Sequence, residues 1–171
     1  MAWLSATLLV CQLSAAEGPR KQVAELRPYV SWSGAHSKFA ERLCLRVTTT
    51  EDWAKLWERH AGKGADVPVV DFGRCMVIAA FQGKAWNSDG VKATSITEEV
   101  GRILVRLDER GYQTGGSGPD GGAVRVTAYG LFVVPRSAKM VVVEENVQNL
   151  LGHPAVWKER KRFGALPKTI H

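Results

Sequence analysis

Histidine and serine are the residue types in this chain that would most readily carry out catalysis, so their spacing is decisive. The four histidines are His36, His60, His153 and His171. None of them shows the spacing of a metal site such as H-E-x-x-H. Three serines lie near His36, but no G-x-S-x-G elbow is present to position a nucleophile. We therefore predict no catalytic residue and no metal site, and a hydrolase remains only if distant residues converge.

A glycine-rich stretch at Gly115–Asp120 matches the first half of a calcium-binding nonapeptide, G-G-x-G-x-D. That kind of site needs stacked copies, because neighbouring turns share the ion, and this sequence contains one copy. In addition, Gly122 stands where the repeat has a large apolar residue. We therefore predict no cofactor, and we interpret the stretch as part of a loop between two strands.

The loop from Gln113 to Gly122 is also the predicted binding region. It contains five glycines, whereas two residues suffice for a tight antiparallel turn. Ordering such a loop costs conformational entropy, which contact with a partner would offset. Tyr112 would be an aromatic anchor of the kind enriched at interfaces. We predict that Trp86, Tyr112 and Asp120 contact a protein partner; the alternative is a tolerated surface insertion.

The C-terminal tail, residues 146–171, is basic and contains the run Lys158–Arg162 between two aromatic residues. Aromatic residues beside basic ones can bind nucleic acid or anionic lipid. The simpler interpretation is a solvated basic face of a helix, whose aromatic residues dock on the rest of the domain. We predict a C-terminal helix broken at Pro154, and no nucleic-acid partner because the chain is predicted to be exported.

The export prediction comes from the first sixteen residues. Ala2–Leu13 is apolar and uncharged, and small residues precede Glu17 as at a cleavage site. This pattern predicts a signal peptide at 1–16 and a secreted or periplasmic protein; the alternative is a buried N-terminal helix. The remaining chain, 17–171, is of a length typical of one domain. No apolar run approaches the roughly 20 residues that a membrane span requires.

Export changes the interpretation of the cysteines. Cleavage would leave Cys44 and Cys75 in a compartment where disulfides persist. Cys44 alternates with Leu43 and Leu45, so a disulfide needs Cys75 on a neighbouring strand and on the same face. The alternative is two separate cysteines packed as small hydrophobic residues.

The elements that must position these residues are best defined around Trp53. Trp53, Leu56, Trp57 and His60 have the spacing of one helix face. His60 is therefore interpreted as a core or capping histidine. The following Asp71 and Phe72 are predicted to be structural, with Asp71 in a turn before a strand that is covered on both faces. Short strands and Gly-rich connections predict a mainly β (α+β) domain, an antiparallel sandwich or partly open barrel with one packed amphipathic helix.

The order of these motifs resembles the PrcB C-terminal-type domain, a family of small exported β-rich proteins named for a subunit associated with a bacterial protease complex. The resemblance covers about residues 29–144. It is carried by the following positions: Trp53, Trp57, Pro68, Val70, Asp71, Phe72, Met76, Val77, Gly83 and Val133-Val134-Pro135. It implies an accessory or binding role.

These patterns together predict an exported, non-enzymatic binding or accessory module that associates with a protease or envelope complex. One alternative is a loop-based peptidase inhibitor resembling chagasin. In that case the loops of this chain at 85–90, 111–122 and 136–139 would lie at one end of the domain and block the cleft of a peptidase. The other alternative is a hydrolase with a dispersed site.

Overall fold

The computed structural model describes residues 23–116, 118, 121–148 and 152–167. The predicted signal peptide at 1–16 lies outside the described residues. The protein is mainly β, as predicted, and the described part contains several sheets and one helix. No helix in this part of the chain is long and apolar enough to cross a membrane.

The chain passes between the sheets several times. Its elements are β1 (Ala24–Leu26), β2 (Val30–Gly34), β3 (Arg42–Val47), α1 (Thr50–Ala61), β4 (Cys75–Gln82), β5 (Ala85–Trp86), β6 (Ser88–Glu98), β7 (Arg102–Gly111), β8 (Arg125–Val126), β9 (Tyr129–Pro135), β10 (Met140–Asn146) and β11 (Trp157–Phe163). The strands form a five-stranded sheet in the order β1-β6-β7-β10-β11, a four-stranded sheet in the order β2-β9-β4-β3, and the pair β5-β8.

One strand pair departs from the predicted antiparallel arrangement. β10 runs parallel to β7, with Met140 opposite Arg102 and Glu145 opposite Leu107. The reason lies in the preceding connection, residues 136–139, which carries the chain from β9 in the four-stranded sheet to the start of β10 in the five-stranded sheet. A crossover between sheets can deliver a strand in either direction, whereas a tight hairpin would have made the pair antiparallel.

The two large sheets share one buried core. It combines apolar residues of the four-stranded sheet with those of β6, β7 and β10, including Met76, Ile78, Ile103 and Val141. β4 is buried along almost its whole length because this core covers one face and α1 covers the other. The predicted strand covered on both sides is therefore confirmed.

Gly130 lies at a close contact between the two large sheets. A Cβ added to Gly130 would stand 2.6 Å from the backbone oxygen of Val91 on β6. The sequence predicts a bulge or bend at this glycine within one strand from 124 to 134. The run is divided instead into β8 and β9, and Gly130 lies inside β9, where the missing side chain allows the close approach.

α1 forms where the apolar spacing predicts it. Thr49 caps its start, and its hydroxyl accepts a hydrogen bond from the Asp52 amide at 3.2 Å. Gly62 follows its end with φ at +111°, and the Gly62 amide donates to the Glu58 carbonyl at 2.8 Å.

The buried face of α1 completes an aromatic cluster on the outer side of the four-stranded sheet, which we call the helix-face cluster. Its members are Trp32, Trp53, Trp57, His60, Phe81 and Tyr129. Trp53 is 1% exposed, and its indole donates to the Pro68 carbonyl at 2.8 Å. Trp57 is half-buried and packs 5.2 Å from Trp53 between ring centroids. The predicted packing of both tryptophans is confirmed.

The predicted C-terminal helix is wrong over residues 157–163, which form the edge strand β11. β11 pairs with β10 through a β-bulge between Val143 and Glu144. Without β11, the edge of β10 that faces away from β7 would have no strand partner for its backbone donors and acceptors. Local basic composition therefore did not decide the structure; the available sheet edge did.

Candidate functional site

A groove of about 710 Å³ lies at the end of the five-stranded sheet where β7 and β10 finish. β5 and the start of the loop after β7 form one wall, and the segment after β10 forms the other. The described lining is Ala85, Trp86, Asn87, Asp108, Glu109, Gly111, Tyr112, Gln113, Glu145, Asn146, Val147, Gln148, Gly152 and His153. The structure therefore brings two of the predicted binding residues, Trp86 and Tyr112, to one site. The third, Asp120, lies outside the described residues.

Asn87 holds the aromatic wall together through three hydrogen bonds. Its amide donates to the Val124 carbonyl at 2.9 Å, and its side-chain Oδ1 accepts from the Val124 amide at 2.7 Å. Its own carbonyl accepts from the Tyr112 amide at 2.8 Å. Asn87 has φ at +52°, a left-handed conformation that asparagine tolerates better than most residues. One strained residue therefore ties the loop of Trp86, the end of β7 and the chain before β8 together.

Trp86 and Tyr112 remain accessible although the three hydrogen bonds of Asn87, which we call the Asn87 clamp, fix the backbone around them. Trp86 is 44% exposed and Tyr112 is 37% exposed. The Arg125 guanidinium lies 4.2 Å from the Trp86 ring centroid, and the two residues are opposite each other in the β5-β8 pair. This cation–π contact orients the indole. The wall thus presents two aromatic side chains whose backbones are fixed before any ligand arrives.

The charged lining side chains of the groove include carboxylates, although the chain as a whole has a net charge of +6. The described lining contains three carboxylates and neither lysine nor arginine. Asp108 is paired with Lys92 at 3.4 Å and accepts from the Asn146 side chain at 3.1 Å. Glu145 is paired with Arg42 and Arg160. Within the described part of the chain, half-buried Glu109 makes no ion pair.

Arg160 anchors β11 beside the groove. Its side chain is 7% exposed and lies 3.6 Å from Glu145. Its guanidinium donates to the carbonyls of Leu43 at 3.2 Å and Phe81 at 2.6 Å, and to the Gln82 side chain at 3.1 Å. Burial lowers the pKa of Arg160, and the neighbouring Glu145 opposes that shift. One residue of the predicted solvated basic run is therefore a buried link between the two large sheets.

The glycine-rich loop after Tyr112 folds back on itself. The Gly116 amide donates to the Gly121 carbonyl at 2.9 Å, and the Gly121 amide donates to the Gly118 carbonyl at 3.0 Å. Gly121 and Gly122 both have positive φ, which explains glycine at these positions. In the described residues no three His, Cys, Asp or Glu side chains are grouped to hold a metal ion.

The three loops of the predicted inhibitor do not share one end. Residues 85–87 and 111–113 line the groove at the end of β7. Residues 136–139 precede β10, whose first residue is opposite the start of β7. Lys139 accordingly donates to the Glu99 carbonyl at 2.8 Å, at the other end of the sheet. Because β7 and β10 are parallel, the third loop lies at the opposite end of the sheet from the first two. The three loops therefore do not form one surface that could block a cleft.

One serine and one histidine distant in sequence do converge. The Ser37 hydroxyl lies 2.9 Å from His60 Nδ1, and it also accepts from the Phe39 amide at 3.1 Å. His60 is 6% exposed and packs 4.2 Å from the Tyr129 ring. Burial lowers the pKa of His60, which favours the neutral ring. His60 is a buried member of the helix-face cluster and Ser37 is half-buried beside it, so the interpretation of His60 as a core histidine is supported.

Asp71 and Phe72 occupy the structural positions predicted for them. The Gly73 amide donates to Asp71 Oδ1 at 2.9 Å, and the Cys75 amide donates to the Asp71 carbonyl at 2.8 Å. Asp71 therefore forms the turn that starts β4. Phe72 is buried against the helix-face side of the sheet.

The two cysteines are free. Cys44 faces the core between the sheets, where burial raises its thiol pKa to about 11, whereas Cys75 packs on the helix side of the same sheet. The register puts Cys44 opposite Ala80, not Cys75. Five residues along a strand span roughly 16 Å, well beyond the roughly 7 Å limit for bridged Cα atoms. The alternative of two separate cysteines therefore describes this structure, and the disulfide does not.

Comparison with protein-family models, with curated proteins and with solved structures found no match for this chain. Function is therefore inferred from the residues of the site.

Sequence reasoning missed three residues that shape the groove. Asn87 carries the local signal of the N-S-D-G sequence, which is typical of a turn that needs positive φ. Glu109 and Glu145 carry a weaker one. Each lies two residues after the last core residue of its strand. Its side chain is therefore on the core-facing side of the sheet, at the end where the groove lies. Their meeting required the parallel register of β7 and β10, which has no local signal.

Proposed function

We propose that this chain is an exported, non-enzymatic module that binds a protein partner through the groove of Trp86 and Tyr112. The observation that carries the proposal is a preformed wall with two exposed aromatic side chains. Exposed aromatic residues in a concave site dominate the energetics of many protein interfaces. Because the Asn87 clamp orders the backbone in advance, binding would cost little additional entropy.

The architecture we propose is a two-sheet sandwich with the binding groove at one end. Support comes from the shared core between the large sheets and from the position of the groove beyond its last apolar residues. Rigid sheets that present loops at an edge suit recognition. The signal-peptide pattern supports export to the periplasm or medium, and the resemblance to the PrcB C-terminal-type domain supports a protease or envelope complex as the partner.

A binding role is also supported by the location of the reactive groups. His60 is buried in the helix-face cluster, and the half-buried Ser37 beside it already accepts a hydrogen bond from the Phe39 amide. The Cys44 thiol has a raised pKa because it is buried, which disfavours the nucleophilic thiolate. The polar groups of the groove are carboxylates, amides, the Tyr112 hydroxyl and the His153 side chain, which suit hydrogen bonding and ion pairing with a partner.

Affinity capture from the native envelope fraction, followed by rebinding with the purified partner, tests the proposal. Trp86→Ala combined with Tyr112→Ala should abolish rebinding while the circular dichroism and melting temperature stay those of the folded protein. Tyr29→Ala is the matched control, because Tyr29 is exposed but does not line the groove. Rebinding at wild-type strength by the double variant would contradict the proposed site. The intact mass of the native protein should correspond to a chain that starts at Glu17.

A further inference from the structure

We infer that the Trp86–Tyr112 groove selects a partner segment that presents a lysine or arginine side chain. This inference rests on the proposed binding function and adds the chemistry of the occupant. Shape alone would admit many segments. The described lining carries carboxylates but neither lysine nor arginine, and its Glu109 makes no ion pair with the described residues, which favours a cationic occupant.

Two carboxylates continue the core-facing sides of β7 and β10. Val91, opposite Glu109 in the β6-β7 register, lies in the core between the sheets. Glu109 therefore continues the core-facing side of β7 beyond Leu107. Glu145 does the same on β10 beyond Val143, and the two strands are neighbours in the sheet. The core-facing apolar residues of β7 and β10 are thus followed by two carboxylates that line the groove.

Of the three carboxylates in the described lining, Glu109 is the one available to a ligand. Asp108 and Glu145 already have cationic partners in the chain. Arg160 is the buried cation nearest to the floor, but it is committed to Glu145 and to two backbone carbonyls of the other sheet. Glu109 influences Arg160 only as a more distant charge. A half-buried carboxylate without an ion pair gains more from an incoming cation than a paired or fully solvated one would.

The aromatic wall of Trp86 and Tyr112 also suits a cationic side chain. Tyr112 lies three residues after Glu109, where β7 leaves the sheet, and Trp86 lines the same groove. Aromatic faces attract ammonium and guanidinium groups, and Arg125 already uses the Trp86 ring in this way. A carboxylate beside aromatic rings also accommodates the apolar stem of a lysine or arginine side chain. A neutral oligosaccharide would use the aromatic rings but would leave the charge of Glu109 unmatched.

The test is selection of a phage-displayed library of random dodecapeptides on the purified chain. Parallel selections use Trp86→Ala, Glu109→Gln and Glu109→Lys, with Glu58→Gln as control because Glu58 is exposed on α1, away from the groove. Peptides that depend on Trp86 should be enriched in lysine or arginine with wild type and with the control. Glu109→Gln should weaken that enrichment, and Glu109→Lys should replace it with aspartate and glutamate.

An enriched peptide that contains one arginine is then compared with its citrulline version by fluorescence anisotropy. The citrulline version should bind roughly tenfold more weakly to wild type and almost equally to Glu109→Gln. Trp86-dependent peptides without lysine or arginine would overturn the inference and leave the proposed binding function standing. No Trp86-dependent peptide, or Trp86-dependent binding of a neutral oligosaccharide array in its place, would contradict both.

Discussion

Tryptophan is a buried core residue in the helix-face cluster and an exposed residue in the groove. In the helix-face cluster, Trp53 is 1% exposed, bonded through its indole nitrogen, and surrounded by other rings. In the groove, Trp86 is 44% exposed and contacts one guanidinium. The same residue type therefore stabilises the fold where a helix covers it and is available to a ligand where nothing in the described chain does. Burial, and not residue identity, separates the two roles.

The comparison predicts its largest effect at Trp53. Trp53→Ala should lower the free energy of unfolding by roughly 3–5 kcal/mol, because it leaves a large cavity and removes a buried hydrogen bond. Trp86→Ala should lower it by about 1 kcal/mol or less, since only an exposed cation–π contact is lost. Urea denaturation of the two variants measures the difference, with Glu58→Ala as a surface control. If Trp53→Ala and Trp86→Ala lowered the free energy of unfolding equally, the claim that only the first tryptophan stabilises the fold would be wrong.

The next effect is expected at Arg160, which lies beneath the groove but is as buried as a core residue. Arg160→Met should lower the free energy of unfolding by roughly 3 kcal/mol, because two carbonyls and Glu145 lose a buried donor. Lys158→Met on the same strand is the control, since Lys158 is exposed. Denaturation midpoints compare them. If both variants have the denaturation midpoint of wild type, Arg160 does not stabilise the attachment of β11.

Asn87 should give an intermediate effect that separates conformation from hydrogen bonding. Asn87→Gly keeps the positive φ and loses the side-chain bond to Val124, for a cost of about 1 kcal/mol. Asn87→Ala adds the strain of a left-handed alanine, for a total of about 2 kcal/mol. Thermal melts rank the two variants. A glycine variant as unstable as the alanine variant would mean that φ is not what selects asparagine there.

The smallest effect is the pH dependence contributed by His60. Burial lowers the pKa of His60 below its ordinary value of 6.5. The unfolded chain therefore binds this proton more readily than the folded chain. Stability from His60 is complete above about pH 6.5 and declines as the pH falls towards the lowered folded pKa. His60→Gln should remove this contribution to the decline below about pH 6.5, measured as urea midpoints. An unchanged slope in the variant would assign the decline to other groups.

The two regions also differ in how much of them local sequence reveals. The helix-face cluster could be predicted because Trp53 and Trp57 repeat at helical spacing and Thr49 and Gly62 mark the ends. The groove could be predicted in part, since Trp86 and Tyr112 lie in turn-rich segments. Its acidic floor could not, because Glu109 and Glu145 meet only through the parallel register of β7 and β10.

The C-terminal strand shows the same limit. The run Lys158–Arg162 has no strong alternation, and its composition suits an exposed helix. Its structure is decided by the open edge of β10, with a bulge that directs Arg160 inward. Long-range partners therefore overrode local preference, as they commonly do for edge strands.

The most direct test of the central claim is the affinity of the purified partner for Trp86→Ala/Tyr112→Ala, measured by isothermal titration calorimetry beside the melting temperature. We predict at least a roughly hundredfold loss of affinity, as expected when two interface anchors are removed. The melting temperature should stay within a few degrees of wild type, about the shift that a loss of 1 kcal/mol or less produces. Wild-type affinity in this folded double variant would contradict the claim that the groove is the binding site.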